Sequence, residues 1–133
     1  MDSLKVVLAS IPHKNQRYET VGDWWENSSY PFRQSWDIRV SEMEDWRYEL
    51  LVAVHELVEM ALCKHRGIKE KDVSDFDMEF EQNRDLGDES EPGDDPAAPY
   101  RREHRFAENI ERQLAHELNV DWETYNQAVL DVE

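Results

Sequence analysis

Three polar side chains stand inside an otherwise hydrocarbon segment, Leu50 to Cys63, LLVAVHELVEMALC: His55, Glu56 and Glu59. At about 100° per residue a helix gathers all three into one arc, with His55 and Glu59 one turn apart on the same face. Eleven of the fourteen residues are apolar, so such a helix is buried nearly all round, where an unpaired carboxylate is costly. The arc needs a partner. Arg, Lys or water could serve; so could a divalent cation, because imidazole nitrogen and carboxylate oxygen are ordinary zinc ligands and i, i+4 spacing lets both reach one ion.

A second set lies downstream. From Tyr100 to Asn119, Phe106, Ala107, Ile110, Leu114 and Leu118 form an apolar stripe, and His104, Glu108 and Glu111 form a row beside it. If the two helices pack together, His55, Glu59 and His104 make a three-ligand zinc set, with Glu108 either a further ligand or the acceptor that fixes an imidazole tautomer. Glu56 then lies beside the ion without binding it, where a general base takes a proton from an activated water.

The elements that must position these groups follow from patterning. Leu4 to Ile11 is rich in β-branched residues and stops at Pro12, which predicts a strand; Arg17 to Trp25 predicts a second; and Trp36, Ile38 and Val40 alternate with Asp37 and Arg39 in a third, with one packed and one wet face. Ser41 with Glu44 has the capping-box spacing for a helix running to about Arg66 and stopped by Gly67. Residues 74–83 fit either helix, with Ser74 and Asp77 as its start signal, or strand. Residues 85–99, DLGDESEPGDDPAAP, read as a mobile acidic loop. Asp121 is placed to cap a last helix carrying Trp122, Tyr125 and Val129. The sum is one α+β domain: a small antiparallel or mixed sheet from the N-terminal third, packed on a long buried helix and C-terminal helices.

A net charge of -16 over 133 residues argues against a phosphate-backbone binder and permits an acidic protein that engages a basic protein partner as nucleic-acid mimics do. Residues 70–95 hold twelve acids against two bases, which concentrates that charge, without the spacing of an EF-hand. The lone cysteine, Cys63, reads as a small core residue, and no segment is apolar enough for a membrane span or laid out as a signal peptide, so a cytoplasmic protein is expected. His116 with Glu117 reads as a surface pair, His65 as a helix-end cap, and His13 has no partner pattern.

With a strand at Trp36 to Val40, a helix bearing His55-Glu56-x-x-Glu59 and a later ligand row, the chain resembles the zincin-like metallopeptidases, particularly their smallest members. The resemblance implies that His55 is the first ligand, Glu56 the catalytic glutamate, and a strand near Trp36 to Val40 the edge of a peptide or protein substrate groove. The family carries a second histidine where this chain has Glu59, and His104 would restore two histidines and one carboxylate. Zinc is the ion the resemblance implies; the added carboxylate moves preference toward harder ions such as manganese. A metal-dependent hydrolase, a purely structural metal site and a non-enzymatic acidic binding protein are the three functions to be separated.

Overall fold

The computed structural model describes residues 3–27 and 34–133. Its elements are strands β1 (Leu4–Ile11), β2 (Gly22–Glu26) and β3 (Gln34–Ser41), followed by helices α1 (Trp46–His65), α2 (Glu70–Gln82), α3 (Arg101–Glu117) and α4 (Trp122–Val132), with short 3-10 turns at His13–Asn15 and Pro92–Asp94. The class is α+β. The sheet is mixed, in the order β1-β3-β2, with β3 parallel to β1 and antiparallel to β2. No helix among the described residues is long and apolar enough to cross a membrane.

β3 is therefore the middle strand, bonded on both sides, and cannot edge a groove. The outer strands are β1 and β2, and β2 lies beside α1. The alternation in β3 does face Trp36, Ile38 and Val40 into the core. Its opposite face is not wet: Asp37 is covered, accepting from Asn27 Nδ2 at 3.0 Å and from Arg39 Nη2 at 3.2 Å. The Trp25 ring lies under the Arg39 and Arg17 guanidinium groups, 5.5 and 4.7 Å from its centroid. Aromatic and cationic side chains thus shield what the polarity pattern assigned to solvent.

Three boundaries differ from the sequence reading. The second strand begins only at Gly22, because Arg17 leaves the sheet direction to bind Asp23 at 2.6 Å and Glu70 at 3.2 Å. Ser41 does not cap α1; it ends β3, and Asp45 is the cap, accepting from Arg47 N at 2.9 Å after Glu44 turns the chain at φ 64°. Residues 74–82 lie in α2, which starts at Glu70 after Lys69 rather than at Ser74, and Asn83 closes it. Phe76 and Phe80 stack one helical turn apart, 6.4 Å between centroids.

α1 ends as its composition requires. Gly67 at φ 73° lets Ile68 N reach Cys63 O at 2.9 Å, closing the last turn. α3 closes the same way with Asn119 at φ 55° and Val120 N on Ala115 O at 2.9 Å. The face that α3 buries overlaps only part of the one hydropathy selects: Ala107 is buried, and Leu114 and Leu118 pack against the core. Phe106 is half exposed, while Glu103, His104, Ala107, Glu111 and Ala115 are buried. α3 presents polar groups inward because the facing side of α1 is the polar arc.

Candidate metal centre

α1 and α3 carry the centre between them. Nε2 of His55 lies 3.1 Å from Oε2 of Glu59, Nδ1 of His104 lies 3.0 Å from the same oxygen, and the two ring nitrogens are 3.1 Å apart. The three side chains belong to buried residues. In a tetrahedral zinc site with bonds of 2.0–2.1 Å, neighbouring ligand atoms are about 3.3 Å apart. A triangle of 3.0–3.1 Å edges needs only a few tenths of an ångström of opening to accept an ion, so these residues fit one.

What holds each ligand supports that fit. The second nitrogen of His55, Nδ1, contacts Glu111 Oε1 at 2.8 Å, and the Tyr125 hydroxyl donates to the other oxygen of Glu111. A carboxylate only accepts, so Nδ1 carries the proton and the Nε2 lone pair is left for the centre. Trp24 Nε1, from β2, donates to Glu59 Oε1 at 3.2 Å and leaves Oε2 facing the imidazoles. β2, α1, α3 and α4 thus all contribute to one point.

The electrostatics are those of a cation-shaped space. Burial raises the Glu59 pKa, but the hydrogen bonds from His104 and His55 outweigh it and hold Glu59 at about 2. Burial lowers both histidines; their carboxylate partners override it, raising His104 to about 10 and His55 well above its ordinary value. With no ion, protons hold the three groups together. A divalent cation bound there would take the place of those protons.

Glu56 faces the same space from the next position on α1. Among the described residues it makes no hydrogen bond or ion pair, and burial together with the charge of Glu59 raises its pKa well above the ordinary carboxyl value. Gly22 in β2 makes room for it: a Cβ there would stand 2.7 Å from Glu56 Oε1 and 2.7 Å from Val52 Cγ1. A cavity of about 370 Å³ opens beside these groups, with Tyr18, Trp24, Glu56, Asp77 and Tyr100 among its walls. Asp77 accepts from the hydroxyls of Tyr18, at 2.9 Å, and Tyr100, and burial raises its carboxyl to about 7.

Of the residues singled out in the sequence, His55, Glu59 and His104 meet, and Glu56 borders them. Glu108 does not join: it lies 3.9 Å from Arg112 and outside the ligand group, and the role of tautomer-fixing acceptor falls to Glu111. Trp24 and the loop residues Glu91 and Asp94 carried no site signal and Tyr125 was marked only for packing; Glu111 was signalled by its place in the row with His104. His116 and His65 are exposed, Cys63 is buried among apolar side chains, and His13 binds Ser41 Oγ at 2.8 Å and Glu19 at 2.7 Å. The loop at 85–99 is anchored by the Pro92–Asp94 turn, whose Gly93 packs on the His104 ring. No family model matches the chain, and no curated protein or solved structure matches it either.

Proposed function

We propose that this chain is a metal-dependent hydrolase of the zincin-like kind, acting on peptides, in which His55, Glu59 and His104 hold a divalent ion and Glu56 is the general base. The observation that carries the reading is the convergence of two imidazole nitrogens and one carboxylate oxygen within 3.1 Å of one another, with His104 on α3 lying 45 and 49 residues from Glu59 and His55 on α1. A bound zinc ion supplies a water molecule whose pKa is brought down to about 7.

The protein's own groups do the rest. Glu56, beside the ligands, would take the proton from the attacking water and pass it to the leaving amine. Glu111 and Tyr125 hold the His55 ring in one tautomer, and Trp24 holds Glu59 in one rotamer, so neither ligand swings when substrate enters. β2, the outer strand next to the centre, provides the backbone edge along which an extended peptide would lie. Zinc suits the two imidazoles; the added carboxylate also admits manganese.

Elemental analysis of the purified protein, with peptide hydrolysis measured beside it, tests the reading. About one ion per chain is expected, lost in His55→Ala. Glu56→Gln should retain the ion and the fold while lowering hydrolysis at least 100-fold. Retained ion with no hydrolysis by the wild-type protein would leave the centre a structural tie between α1 and α3, and absence of any ion would overturn the reading.

A further inference from the structure

The inner triangle uses only one nitrogen of His104. The residue is 5% exposed, and its other nitrogen, Nε2, is buried without a hydrogen-bond partner on the side facing the 91–94 turn. There Oε2 of Glu91 stands 3.0 Å from it and Oδ1 of Asp94 3.6 Å, near enough for contact and outside hydrogen-bond alignment. One ligand atom from each of the three residues lies within 4.8 Å of the others.

The turn is built to sit there. Asp94 N bonds Glu91 O and Asp95 N bonds Pro92 O, each at 3.1 Å, which fixes both carboxylates on one side. Gly93 lets the backbone lie directly on the imidazole: a Cβ at this position would be 2.3 Å from the ring's Cγ. Tyr100 backs the ring edge-on at 6.0 Å between centroids. The buried nitrogen is thus held toward two solvent-facing carboxylates by backbone packing and an aromatic wall. An imidazole with two carboxylates, and a fourth position open to water, is a zinc donor set.

We propose that Glu91, Asp94 and Nε2 of His104 form a second divalent-cation site at the mouth of the cavity, with His104 bridging it to the inner centre through its two ring nitrogens. The proposal rests on the inner-site reading above. An ion held there would take the place of the Nε2 proton and fasten the 91–94 turn to α3.

Zinc stoichiometry tests this. Metal-stripped protein is titrated with Zn²⁺ in excess Mg²⁺, which screens the acidic surface, and zinc per chain is counted after gel filtration, with circular dichroism as the folding control. The wild type should bind two ions. Glu91→Gln with Asp94→Asn, which removes the two carboxylates facing Nε2 of His104, should bind one. His55→Ala with Glu59→Gln should also bind one, removed by adding the two loop substitutions. One ion in both the wild type and the loop variant overturns the outer site and leaves the inner reading standing. One ion in the wild type that the loop variant loses and the His55→Ala, Glu59→Gln variant keeps supports the outer site and overturns the inner one. No zinc in the wild type overturns both.

Discussion

At the scale of residues, helical angles decide which carboxylate serves which imidazole. Counting 100° per residue from His104, Glu108 is turned by about 40° and Glu111 by about 20° in the opposite sense, so Glu111 is nearer the His104 face. The i, i+4 rule that pairs His55 with Glu59 does not transfer to α3, where the i+7 carboxylate points to the centre and the i+4 one turns toward Arg112. Glu111→Gln should accordingly lower metal affinity 10- to 100-fold, the usual cost of losing a carboxylate that orients a ligating histidine. Glu108→Gln should change it less than about twofold. Competition against a chromophoric chelator measures both, and equal effects from the two variants would contradict the assignment. His55 and Glu59 were legible because they interrupt a hydrocarbon run. Trp24 and Tyr125 were not, since nothing in their local sequence records a contact made across the fold.

At the scale of elements, ends were harder to read than interiors. The interiors of α1 and β3 lie where the apolar pattern puts them because burial of Leu51, Val52, Met60, Trp36, Ile38 and Val40 enforces it, while the polar face of β3 is covered as well. The start of α1 was misread because Ser41 and Glu44 have the spacing of a capping box, yet Ser41 is needed by β3, where it pairs with Ile11. The end was legible at Gly67, whose left-handed backbone suits glycine, and less so at Asn119, which does the same work with a side chain. A Cβ on Gly67 would meet nothing within 4 Å, so Gly67→Ala isolates the conformational cost. It should destabilise the fold by about 1 kcal/mol in denaturant melts and leave metal content unchanged. A stability change much beyond that would mean that the turn has a packing role the geometry does not contain.

At the scale of the whole molecule, the class and the N-terminal position of the sheet could be read from the chain, but the strand order could not. A parallel β1–β3 pair has no turn of its own to announce it, and only tertiary packing selects it. The acidity of the chain also has a global consequence through Asp77, whose carboxyl is raised to about 7 by burial, against 3.8 for the free group. The unfolded chain ionises this group near pH 4 and the folded one only near 7, so between those values the folded state binds the extra proton and stability falls as pH rises. Above pH 7 the penalty is constant. Asp77→Asn should remove it: in metal-free protein, the melting temperature of the variant relative to wild type should rise between pH 5 and pH 8. A relative melting temperature that falls over the same interval would show that the ionised carboxylate stabilises the fold.

Because the centre draws on Trp24, His55, Glu59, His104, Glu111 and Tyr125, its parts leave the ribosome far apart in time. While the nascent polypeptide is still being made, the first half of the site exists as a lone His-Glu pair with no vice to grip it, and an ion caught there early would be lost. An ion bound at that point would have to wait for α3 and α4 to dock, so its retention would report that these elements had assembled around α1.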